Sequence, residues 1–236
     1  MHFEAQARSI DLQPWVFFDA FDGPTMGIRS QFSKPTVREA PNAKVRSAMA
    51  AGECGCYLSH VAVWRGALAI IRAVGDTNGG ITVFEDDAVF MPDFRDSFAA
   101  FMRAIPDDWD LIHFGGHFTR PVERVNDRVN RLFGAWGTYG YIARASALEA
   151  LVARSQKLDV PIDSVMNGLM PHIRTYGPTK KLVAVAEFPS DVGQNTNPAT
   201  LPAPPPTPEV PTAERKLTRA ELRSLTLQGQ SSGRAR

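Results

Sequence analysis

The chain has 236 residues, of which 44% are hydrophobic and 22% charged, and its formal net charge is +1. This length and composition indicate a globular chain with one sizeable core, and they exclude the overall basic field of a non-specific nucleic-acid binder. No apolar stretch approaches the length of about 20 residues that crosses a bilayer, so we expect a cytoplasmic protein without a transmembrane segment.

Short apolar runs alternate with helical periods along most of the chain. The strand-like runs lie at 15–19, 81–85, 110–114, 138–143 and 182–186. Apolar residues three and four positions apart predict helices over 56–74, 93–105 and 146–154. This alternation predicts an α/β domain with a mostly parallel central sheet flanked by helices.

The composition changes to a proline-rich stretch after Asn197. Such a stretch predicts an extended linker, so we place one domain at 1–197 and a separate tail at 198–236. Thr218 and Glu221 have capping-box spacing, which predicts a short helix in that tail. Residues 211–236 hold six Lys or Arg against two Glu. A disordered basic tail is expected, and contact with acidic lipid, nucleic acid or a partner is the alternative.

The two cysteines are Cys54 and Cys56. Side chains two residues apart on a helix do not face each other, so no disulfide is predicted between them. No second Cys or His pair stands at ligand spacing, and the two cysteines are therefore interpreted as small packing residues and not as a metal site.

Three consecutive acids, Glu85, Asp86 and Asp87, follow the apolar run at 81–84. At the carboxyl end of a sheet strand, where open α/β folds place ligands, their repulsion is best explained by a shared divalent cation. Oxygen ligands of this kind suit Mg²⁺ or Mn²⁺. On an extended chain Glu85 and Asp87 would point the same way and Asp86 the opposite way. A solvated acidic turn is the alternative.

Five ordered blocks resemble glycosyltransferase family 25, the lipooligosaccharide and collagen galactosyltransferase family. They read GECGCYLSHVAVW at 52–64, VFEDDAVFMPDF at 83–94, DWDLIHFGG at 108–116, GTYGYIARASALEAL at 137–151 and PID at 161–163. The resemblance extends from residue 1 to about residue 191 and implies a Rossmann-like fold of the A-type glycosyltransferase class. It also implies metal-dependent transfer of a hexose from a UDP-sugar to a hydroxyl acceptor, with inversion.

The resemblance further implies roles for individual residues. Glu85 and Asp87 would hold Mn²⁺ or Mg²⁺, and Asp86 would lie at the donor diphosphate. The remaining binding residues would be Gly52, Glu53, Ser59 and His60 before the long helix, and Gly137, Thr138 and Tyr141 in the block on the acceptor side. The alternative for His60 is a structural role as a buried, hydrogen-bonded histidine. The alternative for Ser59 is a hydrogen bond to the backbone of its own helix.

An inverting transfer needs a general base that takes the proton of the acceptor hydroxyl. Asp163 is the preferred candidate, because it matches the Pro-x-Asp block of the family. An N-cap role is its alternative, since Asp often caps a helix. Asp110 and His113 are second choices, because Gly115 follows their strand and lets a ligand approach the backbone.

Members of the family normally begin with a strand of the type Ile-Asn-Leu-Asp. The first residues of this sequence look like the helix that follows that strand, so we expect the fold to lack the strand itself. The default acceptor is a lipooligosaccharide sugar, and a collagen-like hydroxylysine is less favoured. A phage DNA glycosyltransferase acting on a hydroxymethylated base is an alternative, for which a positive groove would be needed from Arg120, Arg124, Arg128 and Arg131. An inactive nucleotide-sugar-binding or scaffold protein is the other alternative.

Overall fold

The computed structural model describes residues 2–23, 25, 26, 49–76 and 78–186. The helices are α1 His2–Ser9, α2 Ala51–Val74, α3 Phe94–Ala104, α4 Ala145–Arg154 and α5 Ile162–Leu169, which continues into a 3₁₀ turn at Met170–His172. The strands are β1 Gly80–Phe84, β2 Ala88–Phe90, β3 Leu111–His113, β4 His117–Phe118, β5 Glu123–Arg124, β6 Val129–Arg131, β7 Ala135–Trp136, β8 Gly140–Arg144, β9 Thr175–Pro178 and β10 Val183–Val185.

The largest sheet has six strands in the order β1-β8-β3-β9-β6-β5. Three of the predicted strand-like runs form β1, β3 and β8 of this sheet, whereas the run at 182–186 forms β10, which pairs with β2 in a separate two-stranded sheet. Strands β4 and β7 form the other two-stranded sheet of the described residues.

The prediction of a mostly parallel sheet is wrong for the described residues. In the six-stranded sheet only β3 and β9 are parallel neighbours, and the other four adjacent pairs are antiparallel. Strand β8 runs back between β1 and β3, and most of its residues are buried, as those of β3 are, so an apolar run does not reveal its direction. The fold is mixed α/β and compatible with a Rossmann-like arrangement.

Helices cover both faces of the large sheet. Leu111 and Ile112 are neighbours on β3 and point to opposite faces. Leu111 belongs to a hydrophobic cluster with residues of α2, α4 and α5, while Ile112 belongs to a second, phenylalanine-rich cluster with residues of α1 and α3. The predicted helices at 93–105 and 146–154 are confirmed as α3 and α4, and the predicted helix at the start of the chain is α1.

Helix α2 forms as predicted but begins at Ala51 instead of Cys56. Val61, Trp64 and Leu68 lie on its buried face, and Gly75 ends it with φ 71° and an N–H bond to the last turn. By length and composition alone α2 could cross a membrane, which corrects the expectation that no segment approaches such a length. Half of its most apolar window is buried, as in a core helix that contacts α4, α5 and β1.

The predicted strand at 15–19 is wrong. The structure assigns no strand there, and Val16 is 90% exposed while Phe17 and Phe18 are each 48% exposed. An apolar run predicts a strand only where neighbouring backbone completes its hydrogen bonds, and the described residues provide no such neighbour for it. The predicted boundary at 197, the linker, the short helix and the basic tail all lie outside the described residues.

Candidate functional site

The three consecutive acids lie in a turn that joins β1 to β2. The N–H of Ala88 donates to the carbonyl oxygen of Glu85 at 3.2 Å, so the chain reverses here and is not extended as the sequence suggested. Asp86 is nevertheless exposed while Glu85 and Asp87 are partly buried, which separates Asp86 from the other two acids as expected. The turn therefore presents two of its three carboxylates to the interior.

Side chains from α2 and from the segment before β8 hold Glu85. The Nε2 atom of His60 lies 3.1 Å from Oε1 of Glu85, and the hydroxyl of Thr138 donates to the same oxygen. Burial raises the pKa of Glu85, but the bonds from His60 and Thr138 outweigh it and keep the pKa below its usual value. Glu85 is thus an oriented, ionised carboxylate.

A buried chain of hydrogen bonds orients His60 in turn. The indole N–H of Trp64 donates to the hydroxyl oxygen of Tyr141 at 2.7 Å, and that oxygen lies 2.8 Å from Nδ1 of His60. An indole nitrogen only donates, so the hydroxyl proton of Tyr141 is free to point at Nδ1, and in that arrangement Nε2 carries the His60 proton and donates to Glu85. His60 is buried and hydrogen-bonded, as expected for a histidine with a structural role. It also contacts Glu85 of the acidic turn, so the structural role does not exclude a role in the site.

Asp87 has an unsatisfied carboxylate oxygen. Its Oδ1 atom is buried, and it has no hydrogen-bond partner among the described residues. Burial, followed by the charges of Glu85 and Asp86, raises the pKa of Asp87 to about 6. A buried oxygen without a donor is costly, and a cation is one way to satisfy it.

Asp163 is the second residue of α5, and Pro161 occupies the N-cap position. The N-cap alternative for Asp163 is therefore wrong. Its Oδ1 atom is buried without a partner, as that of Asp87 is. Burial raises the pKa of Asp163, and the nearby backbone N–H groups of Ser164 and Gly137 partly oppose that effect. The negative charge of Glu85 also raises the pKa of Asp163, so the start of α5 lies close enough to the acidic turn for the two carboxylates to repel each other.

Gly137 links the second-choice residue His113 to the site. It has φ 93°, which favours glycine, and its carbonyl oxygen lies 2.6 Å from Nε2 of His113. Burial lowers the pKa of His113 to about 4, so this imidazole is neutral at ordinary pH. Asp110, the other second choice, accepts bonds from Ser146 and from the backbone N–H of Arg174 and has a structural role.

The predicted residues at the start of α2 bond mainly to backbone. The Ser59 hydroxyl donates to the carbonyl of Gly55 at 2.8 Å and accepts from the N–H of Phe21 at 2.9 Å. The bond to Gly55 is the bond to its own helix backbone that was the alternative for Ser59. The carboxylate of Glu53 accepts from the N–H of Ala50 at 2.8 Å. Gly52 is the second residue of α2. Donor binding by these residues stays a prediction.

Cys56 is a residue that the sequence interpretation missed. Its thiol, a ring nitrogen of His60 and a carboxylate oxygen of Glu85 all lie within 4.8 Å of one another. Burial, followed by nearby carboxylates, raises the pKa of Cys56 to about 12. Both cysteines are free thiols, so the absence of a disulfide was predicted correctly. The available signal for Cys56 was its spacing of four residues from His60, which places both on one helix face.

The arginines proposed for a DNA groove are partly engaged elsewhere. The Arg131 guanidinium donates to the backbone carbonyls of Leu132, Thr175 and Ile173, and Arg124 forms an ion pair with Asp127. Two of the four arginines thus contact the protein itself, and the groove that the DNA alternative would need stays a prediction.

Residues 1–120 match the family model described as glycosyltransferase family 25 (LPS biosynthesis protein). A "Glycosyltransferase 25 family member" from Drosophila melanogaster is 29% identical over 127 residues, covering 50% of this chain and 20% of that protein. The "Inactive glycosyltransferase 25 family member 3" of Homo sapiens is 30% identical over 124 residues, covering 49% of this chain and 20% of that protein.

A third relative, "Putative glycosyltransferase R655" of Acanthamoeba polyphaga mimivirus, is 27% identical over 162 residues, covering 63% of this chain and 47% of that protein. The chain thus spans between about a fifth and a half of the length of these relatives. The family match at 1–120 includes α2 and the acidic turn, and it ends before Gly137 and Asp163.

Proposed function

The chain belongs to glycosyltransferase family 25, and from that premise we propose that it transfers a hexose from a UDP-sugar to a hydroxyl acceptor, with inversion. The observation that carries the proposal is the pair of buried carboxylate oxygens, on Asp87 and Asp163, that have no partner among the described residues and that both experience the charge of Glu85. By family default the acceptor is a lipooligosaccharide sugar.

The acidic turn fits a Mn²⁺ or Mg²⁺ ion. Both ions prefer carboxylate oxygens, and the unsatisfied Oδ1 of Asp87 is such a ligand. We assign the ion to Glu85 and Asp87, and the exposed Asp86 to the diphosphate side of the turn. When bound, the ion would neutralise charge on the leaving diphosphate. His60 and Thr138 keep Glu85 ionised and fixed, which preorganises one ligand.

Asp163 is the proposed general base. It takes the proton of the acceptor hydroxyl while the hydroxyl oxygen bonds to the anomeric carbon and the bond from that carbon to the diphosphate breaks. Because burial raises the pKa of Asp163, its carboxylate is a stronger proton acceptor than an exposed one. The N–H of Gly137 lies near the same carboxylate and helps to orient it.

The test is release of UDP from a panel of UDP-sugars, with and without Mn²⁺, in the presence of lipooligosaccharide-type and hydroxymethylated DNA acceptors. Asp163→Asn should lower turnover by a factor of at least about 100, the usual contribution of a general base, while binding of the donor is retained. Asp159→Asn is the control, since Asp159 is exposed and lies just before α5. Turnover by Asp163→Asn at the wild-type rate would refute the assignment of the base.

A second candidate function is donor binding without catalysis. The observation that favours it is the name of the human relative, which is called inactive. Calorimetry with UDP-sugars separates the two functions. Donor binding without UDP release across the acceptor panel would support the inactive protein, whereas Mn²⁺-dependent release with one acceptor would support the enzyme.

A further inference from the structure

One face of α2 presents a sulfur and a nitrogen ligand to the end of β1. Cys56 and His60 are four residues apart on this helix, so their side chains lie one above the other. The ring of His60 reaches Glu85 at the first position after β1. A thiol, an imidazole and a carboxylate therefore meet at one point, and Glu85 is the one residue that this group shares with the proposed Mn²⁺ site.

We propose that Cys56, His60 and Glu85 form a site for a borderline-soft divalent ion such as Zn²⁺ or Co²⁺. The three ligand atoms lie within 4.8 Å of one another. Around a tetrahedral ion with bonds of about 2.0–2.3 Å, ligand atoms stand roughly 3.3–3.8 Å apart. The observed separations exceed these values by at most roughly 1–1.5 Å, a difference that rotation of the side chains can close.

The hydrogen bonds of His60 decide which nitrogen would bind the ion. Nδ1 contacts the hydroxyl of Tyr141, and Nε2 faces Glu85. Nε2 is therefore the ligand atom, and the single imidazole proton shifts from Nε2 to Nδ1 when the ion binds. There it donates to Tyr141, whose hydroxyl proton turns away from the ring and whose oxygen has two lone pairs that can accept from both Trp64 and His60. Histidine ligands usually have such a partner on the second nitrogen.

The mixed donor set distinguishes this site from the acidic turn. Binding of the ion releases the thiol proton of Cys56 to solvent, and the resulting thiolate and the imidazole suit Zn²⁺ and Co²⁺ better than Mg²⁺ or Mn²⁺, which prefer oxygen ligands. Three protein ligands leave a fourth position open, as in zinc sites that accept water or another small ligand. The charges of Asp87, Asp163 and Glu53 also act on Cys56 and favour a cation over a neutral ligand.

The site also has a regulatory consequence, which rests on the proposed function. Glu85 belongs to both donor sets, so an ion held with Cys56 and His60 withdraws a ligand from the Mn²⁺ site. Zn²⁺ is therefore expected to compete with Mn²⁺ by occupying a different but overlapping set of ligands.

The binding test uses the full chain with Co²⁺ and no sugar donor. A thiolate ligand gives Co²⁺ a charge-transfer absorption band in the near ultraviolet, which should appear with the wild type and be absent from Cys56→Ser. Cys56→Ser should also weaken Zn²⁺ affinity by at least about tenfold, since even indirect partners of a ligand contribute that much. Cys54→Ala is the matched control, because Cys54 is a buried thiol on the same helix.

A wild-type spectrum without the thiolate band, or a band that persists in Cys56→Ser, would overturn the proposal. Competition is measured separately, by the electron paramagnetic resonance signal of Mn²⁺ released when Zn²⁺ is added. Release is expected from the wild type and not from Cys56→Ser. Neither measurement requires turnover, so an inactive protein would refute the proposed function and leave this site intact.

Discussion

Asp87 occupies a position that is unfavourable for a carboxylate in the ion-free protein. Its Oδ1 has no partner among the described residues, and burial together with Glu85 and Asp86 raises its pKa to about 6. An unfolded Asp has a pKa of about 3.9. The folded state therefore binds the Asp87 proton more tightly than the unfolded state does, and stability contributed by this proton is lost as the pH rises between about 4 and 6.

Replacing Asp87 by Asn should therefore stabilise the ion-free protein at pH 8. We expect the Tm of Asp87→Asn in EDTA to exceed that of the wild type at pH 8, and the difference to disappear at about pH 3, below the pKa of Asp87 in both states. Added Mn²⁺ should raise the Tm of the wild type only. Asp96→Asn, an exposed acid on α3, is the control. A wild type that is more stable than Asp87→Asn in EDTA at pH 8 would contradict this account.

Sequence reasoning identified the acidic turn and the buried Asp163, because consecutive acids after a strand and a short motif can be read along the chain. It did not identify the roles of Tyr141 and Trp64 in orienting His60. The hydroxyl of Tyr141 bonds to His60, which is 81 positions away in the sequence, and to Trp64, which is 77 positions away. Cys56 was missed for a similar reason, because its ligand partner Glu85 belongs to another element. Contacts between elements are set by packing, which spacing does not record.

Helix α2 contains two interior glycines with opposite surroundings. A Cβ atom on Gly55 would lie 2.3 Å from the carbonyl oxygen of Phe21, whose backbone passes across the helix at this point. A Cβ atom on Gly66 would meet nothing within 4 Å. The pair therefore separates the effect of close packing from the intrinsic helix propensity of alanine.

Gly66→Ala should raise the free energy of unfolding by about 0.5–1 kcal/mol, because Ala loses less conformational entropy in a helix. Gly55→Ala should lower it by about 1–3 kcal/mol, since the added methyl group must displace backbone at Phe21. Urea denaturation of the two variants measures both effects. Equal stabilisation by the two substitutions would show that the backbone at Phe21 can move away from the added methyl group without loss of folding free energy.

At the scale of elements, the helices were easier to predict than the strands. The apolar period of α2, α3 and α4 is set within each helix, so their bounds were wrong by one residue or less, except for the start of α2, which lies five residues earlier than predicted. The run at 15–19 and the direction of β8 depend on neighbouring strands, and both were predicted wrongly. Strand β9, the parallel neighbour of β3, was not recognised, because its sequence TYGP contains Gly and Pro and resembles a turn.

At the scale of the molecule, the site is assembled from parts that are distant along the chain. Helix α2 supplies Cys56 and His60, the turn after β1 supplies Glu85 and Asp87, the segment before β8 supplies Thr138, and α5 supplies Asp163. The same face of α2 contributes Tyr57, Val61 and Trp64 to a hydrophobic cluster. Substitutions in this part of α2 should be judged on stability before any loss of turnover is ascribed to chemistry.

The acidic turn also connects two different sheets, since β1 belongs to the six-stranded sheet and β2 pairs with β10. An ion held by both Glu85 and Asp87 would tie the two ends of this turn together and would restrain any movement of β2 and β10 relative to β1. Saturating Mn²⁺ should therefore slow amide hydrogen exchange in β2 and β10 of the wild type but not of Asp87→Asn, with β3 as the internal reference. Unchanged exchange in β2 and β10 would mean that the turn is rigid without the ion. Slowed exchange would mean that the binding of the ion and the internal mobility of the protein are governed by the same two carboxylates.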